Sequence, residues 1–176
     1  PFATVLSCID SRTSAELIFD QGLGDIFSIR IAGTVINEDI LGSMEFACKV
    51  SGSRLLVVLG HTECGAIKGA CDHVQLGNLS TLLNKIEPSI YFERSVTTDR
   101  TSGNAEFVSR VADIQVRRSV EAIIERSLVL RQMGVPIPDG TAMAPDPALA
   151  QQQAEQVRQG RGAVQGSPGS GPQYMD

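Results

Sequence analysis

Two short clusters hold the residues able to do chemistry: Cys8-Ile9-Asp10-Ser11-Arg12 and His61-Thr62-Glu63-Cys64. Two thiols and an imidazole are three of the four donors of a tetrahedral zinc site, with sulfur at about 2.3 Å and nitrogen at about 2.0 Å. His61 and Cys64 are three residues apart on a turn, so both can face one point, which Cys8 must reach from another part of the fold. Two thiolates would cancel the charge of a divalent ion. The fourth ligand then decides the chemistry: water there yields a nucleophile, whereas Asp10 there closes the site. Asp10 and Arg12 lie close enough to pair, and a guanidinium gives a carboxylate a low pKa and a fixed direction. Each residue also has an ordinary structural use, Cys8 as a small buried hydrophobe, His61 as a hydrogen-bonding group, Asp10 and Arg12 as a salt bridge. The coincidence of two such clusters outweighs these separate readings. Cys48, on an apolar helix face, and Cys71, with no partner at ligand spacing, are read as structural.

Those clusters need elements to position them. An apolar run over residues 3–8 reads as a strand, followed by a short helix from about Ser14 to Phe19. Residues 25–31 read as a second strand, and 40–50 as a helix with Leu41, Met44, Ala47 and Cys48 at helical spacing. The unbroken run Leu55 to Leu59 marks a strand buried on both faces, with another helix after Cys64. This alternation predicts an α/β fold: an open parallel sheet in three layers with flanking helices. Such sheets bind ligands beyond the carboxyl ends of their strands, which is where both clusters fall. An amphipathic helix is expected over 78–86, stopped near Pro88. A polar loop covers 97–104, and a long helical pattern over 105–133 breaks once.

After Gly134 the sequence turns rich in Pro, Gln and Gly. The reading is a domain over 1–133 and a largely irregular or disordered tail over 134–176, with one short helix around 147–159. Val135-Pro-Ile-Pro is too short and proline-broken to be a strand, which leaves Leu55–Leu59 at or near an exposed sheet edge. The 176 residues carry a net charge of -5 with scattered Lys and Arg, against a nucleic-acid or anionic-membrane surface. No apolar run approaches the roughly 20 residues of a membrane span. Four cysteines in this length make free thiols or metal ligands a better reading than a disulfide framework. The expected compartment is cytoplasmic, or periplasmic where a leader has been removed.

Cys-x-Asp-x-Arg followed some fifty residues later by His-x-x-Cys resembles the β-class carbonic anhydrases. The flanking residues are similar too: Glu16 to Phe27, Arg30-Ile-Ala-Gly, Gly42-Ser-Met-Glu-Phe-Ala and Val58 to Gly69. The resemblance covers residues 2 to about 133. It implies zinc held by Cys8, His61 and Cys64, with Asp10 and Arg12 as a catalytic dyad and Asp10 as fourth ligand in a closed state. It further implies reversible hydration of carbon dioxide to bicarbonate and a proton by zinc-bound hydroxide, in a dimer or tetramer. Two thiolates donate more charge than imidazoles, so activity should rise towards alkaline pH, beyond the value near about 7 of an all-histidine site.

Phe27, Val35 and Ile36 are candidate pocket walls, contributed in part across a dimer. Gly65 and Ala66 are candidate backbone donors to the substrate, because a helix start leaves free N–H groups. His73 is a candidate proton carrier, or simply an exposed loop histidine. Two further readings stand beside the first: a related hydrolase acting on carbonyl sulfide or carbon disulfide, and a non-catalytic, zinc-stabilised interaction domain.

Overall fold

The computed structural model describes residues 1–137, so the tail from 138 onward, with its expected helix over 147–159, lies outside the described residues. Three strands form a parallel sheet in the order β2-β1-β3: β1 Ala3–Ser7, β2 Ile26–Arg30 and β3 Leu55–Leu59. Central β1 is buried along its whole length, as its near-continuous apolar run requires. Ser7 lies opposite Arg30 on one side and Leu59 on the other. All three strands therefore end at the same level, and the residues that follow them leave the sheet side by side.

The helices are α1 Ala15–Ile18, α2 Glu38–Glu45, α3 Gly65–Cys71, α4 Gly77–Leu83, α5 Glu87–Phe92, α6 Ala105–Arg126 and α7 Leu128–Met133. Asn37 caps α2 by accepting from the Ile40 amide, and α2 runs on as a wider turn over Phe46–Val50. One sheet face packs Leu6, Leu56 and Val58 against Met44 and Cys48 and against Val116, Ile123 and Leu130 of α6 and α7. The other face, with Ala3, Val5, Ile26 and Leu59, is covered mainly by α1 through Ala15 and Ile18. A third apolar cluster lies past the strand ends and contains Cys8, Cys64, Val35, Ile67 and Phe107.

α4 ends at Leu83, ahead of Pro88 as expected, and Pro88 itself occupies the first turn of α5, where its missing N–H costs nothing. The long pattern breaks at Ser127, whose side chain caps α7 by accepting from the Leu130 amide. Beyond Gly134, Val135 and Ile137 pack against the core, and the Pro136 carbonyl accepts from the Leu56 amide at 3.2 Å. The chain thus begins to cover β3 on the side away from β1. None of the described helices is long and apolar enough to cross a membrane.

Candidate metal centre

The parallel register builds the site. Because Ser7 lies opposite Leu59, Cys8 emerges beside Gly60 and His61. Gly60 is required there: a Cβ would overlap the Val116 side chain of α6. The chain then turns through Glu63, at a φ of 55°, and Cys64 starts α3. The ligand atoms of Cys8, His61 and Cys64 consequently lie within 4.8 Å of one another, and all three residues are buried.

The donors are also prepared chemically. His61 Nδ1 is 2.9 Å from its neighbour Thr62's carbonyl oxygen, which holds the ring proton on that nitrogen. Nε2 is left as an acceptor, buried with no hydrogen-bond partner among the described residues. A buried nitrogen without a partner is costly unless something binds it. The two sulfurs are 3.9 Å apart. A tetrahedral ion with bonds of about 2.3 Å would set them about 3.8 Å apart. Without an ion, a thiol hydrogen bond from Cys64 stabilises the Cys8 thiolate and lowers its pKa. The same bond, with burial, pushes the Cys64 thiol up. Burial alone would lower the pKa of His61, but its contact with Cys8 and the charge of Asp10 carry it upward.

Asp10 stands beside this group without joining it. Arg12 holds the carboxylate with both ends of its guanidinium, Nε to Oδ1 at 2.8 Å and Nη2 to Oδ2 at 2.7 Å, while its amide adds a third bond. The guanidinium brings the Asp10 pKa down to about 2. Asp10 Oδ2 is 3.9 Å from His61 Nε2. Arg12 also donates to the Glu63 carbonyl at 3.2 Å, and Glu63 pairs with Lys68. One arginine thus joins the loop after β1 to the loop after β3.

Two residues beyond the two clusters hold this arrangement. Arg30, at the end of β2, donates to the Cys8 carbonyl at 3.0 Å and to the Asp10 carbonyl. The buried Thr13 hydroxyl lies between the same two carbonyls. Arg30 lies in the Arg30-Ile-Ala-Gly stretch that carries the resemblance, but its role arises from the strand order, whereas Thr13 acts locally within the loop after β1. A third, Gln115, sits among apolar neighbours on α6 and donates to the Gly33 carbonyl at 3.2 Å. A polar residue on the buried stripe of a helix was a readable signal for it.

A cavity of about 10 Å³ adjoins the three donors, on the scale of a single water; Gly33, Ile67, Ala112, Gln115 and Val116 help line it. Of the expected walls, Val35 packs with Cys8 and Cys64, whereas Ile36 belongs to the cluster against the sheet. Phe27 is separate from both. It lies on β2 in an open cleft and meets Phe46 edge to face at 6.5 Å. Gly65 and Ala66 do open α3, and the Ile67 and Ala66 amides partly offset the upward shift of Cys64. His73 lies beyond the far end of α3 from Cys64, 3.6 Å from Glu87.

Known proteins share the family and the fold of this chain. The family described as carbonic anhydrase matches residues 3–135. A Mycobacterium tuberculosis protein named carbonic anhydrase 2 is 38% identical over 158 residues, covering 83% of this chain and 75% of the relative. A carbonic anhydrase of Mycolicibacterium smegmatis is 40% identical over 129 residues, covering 69% and 63%. A tetrameric β-carbonic anhydrase from Sordaria macrospora superposes with a TM-score of 0.69 at 23% identity, over 78% of this chain and 73% of that one. A Coccomyxa β-carbonic anhydrase in complex with acetazolamide gives 0.70 at 17% identity, over 82% and 68%. These structural likenesses establish the fold.

Proposed function

The chain belongs to the β-class carbonic anhydrases, and on that premise we propose that it interconverts carbon dioxide and bicarbonate at a zinc ion held by Cys8, His61 and Cys64. The observation that carries this reading is the buried, unpartnered His61 Nε2, which converges with two sulfurs beside a carboxylate clamped by Arg12. When bound, zinc supplies Lewis acidity that makes a water nucleophilic near neutral pH.

The protein groups do the rest. The bidentate clamp keeps Asp10 ionised and aimed, so that its free lone pairs can accept a proton-bearing group at the centre. This arrangement supports the open, catalytic reading over one in which Asp10 closes the site. Arg30 and Thr13 fix the carbonyls of the loop that presents Cys8 and Asp10. The apolar cavity walls suit an uncharged linear substrate, and the Gly65 and Ala66 amides are the proposed donors to its oxygen. The proposal includes self-association, with Phe27 completing the pocket of a second copy. It assigns the zinc domain to residues 1–133. It also includes a cytoplasmic location, with which four unpaired cysteines are consistent.

Stopped-flow hydration of carbon dioxide by zinc-loaded protein tests the reading. Activity that rises towards alkaline pH, and zinc lost on Cys64→Ser, are the expected results. Full zinc retention by Cys64→Ser, or no hydration by the loaded chain, would reject it.

A further inference from the structure

A second cleft, of about 270 Å³, shares Gln115 with the small cavity beside Cys8, His61 and Cys64. Its floor is a stripe of α6. Gln115, Ser119 and Ala122 follow at helical spacing, and the last two are small, so the helix surface is recessed. The polar atoms of that floor are already committed. Gln115 donates to the Gly33 carbonyl and accepts from Ser89 Oγ at 2.6 Å, and Ser119 Oγ donates to the Thr34 carbonyl at 2.8 Å. The floor is therefore fixed, and recognition falls to the rim.

The rim carries Lys85, Arg118, Arg126 and one carboxylate, Glu38. Arg126 is satisfied: it donates to Glu38 at 2.7 Å and to the Ile36 carbonyl at 3.0 Å. Lys85 and Arg118 are different. Neither side chain makes an ion pair or hydrogen bond with any described residue. The Arg118 guanidinium stacks over the Phe92 ring at 4.5 Å, which orients it while leaving its N–H edge free. Among the described residues the cleft thus sets three positive charges against one carboxylate, in a chain of net charge -5. Self-repulsion between them is relieved by an anion, and one of two charges matches them best.

We infer that this cleft binds a phosphate dianion, as the free ion or as the phosphate group of a small ester, between Lys85 and Arg118. The guanidinium offers paired donors to two phosphate oxygens and the ammonium a point charge across the cleft. The volume exceeds that of the inorganic ion, leaving room for an ester's organic part. The inference rests on charge and shape and is independent of the reaction at the metal.

Calorimetric titration of inorganic phosphate into the full zinc-loaded chain, at low ionic strength, is the test. Saturable binding is expected, weakened by at least about tenfold in Lys85→Gln/Arg118→Gln and by a smaller factor in Lys85→Gln alone. Arg12→Gln, beside the metal, should leave it unchanged. Both target side chains are at the surface, and thermal melting checks that the variants fold. A parallel titration with glycerol phosphate identifies the source: tighter binding points to an ester, equal or weaker binding to the free ion. No saturation by millimolar phosphate, binding unaffected by the double substitution, or binding abolished by Arg12→Gln would overturn the inference.

Discussion

Cys8 and Cys64 are chemically alike and electrostatically opposite. Their 3.9 Å contact lets one proton serve both sulfurs, so the metal-free pair carries a single negative charge, on Cys8. Because the pKa of Cys8 is lowered, its thiolate persists as pH falls below the ordinary thiol value, until the lowered value is reached. Cys64, shifted upward, keeps its proton through neutrality. Zinc should therefore displace a proton from Cys64, together with the share borne by His61, and none from Cys8. The thiolate ultraviolet absorbance of metal-free protein at neutral pH should disappear in Cys8→Ser. An absorbance that develops only at the ordinary thiol pKa would contradict this assignment. Asp10 permits a cleaner separation of binding from catalysis. Asp10→Asn keeps the side-chain shape but loses the charge that Arg12 grips, and Asp10 is not among the three grouped donors. Hydration should fall by about 10²-fold or more with zinc content unchanged, the loss expected when a positioned proton acceptor is removed. Unchanged activity in a fully loaded variant would remove Asp10 from the mechanism.

The elements that deliver these side chains are held by close approaches as much as by apolar packing. Gly60 ends β3 against Val116, so α6 lies as near the sheet as a residue without a side chain permits. Gly60→Ala should push α6 away and destabilise the chain by about 1–3 kcal/mol, the usual cost of overpacking. Urea unfolding measures this, and a variant as stable as wild type would mean that α6 is not seated as described. Much of this level was legible in the sequence. The strands, the grouping of Cys8, His61 and Cys64 and the Asp10–Arg12 pair follow from apolar runs and two motifs. The break in the long helix was visible as well, although its position at the capping Ser127 was not. The Gly60–Val116 approach was illegible, because nothing near position 60 indicates which helix crosses it. Arg30 was hidden for the same reason: it serves the Cys8 loop only because β2 is the neighbour of β1. Pro88 was legible as a stop for the helix before it and not as the start of α5, because proline is excluded from helix interiors and welcome in first turns. The contact of Pro136 with β3 was missed because a carbonyl can accept a hydrogen bond even where proline has no N–H to give.

At the scale of the whole molecule, the donors and the expected substrate walls do not all meet within one chain. The cavity beside Cys8, His61 and Cys64 has room for about one water. Phe27, the aromatic side chain expected near the substrate, instead opens with Phe46 into a cleft of about 740 Å³ along β2 and α2. Phe46 is 54% exposed there, and one sheet face is covered mainly by the four residues of α1. Among the described residues β2 is an edge strand, and an edge flanked by the exposed Phe46 and the half-buried Phe27 is a surface that favours association. A second copy seated on this surface would bury both rings. Phe46→Glu places a charge in that contact while leaving the three donors untouched. Light scattering should show the variant shifted to a smaller species than wild type, with zinc content preserved and hydration reduced. If wild type is a fully active monomer, or if the variant separates without losing activity, each chain completes its own pocket and the aromatic cleft serves another purpose.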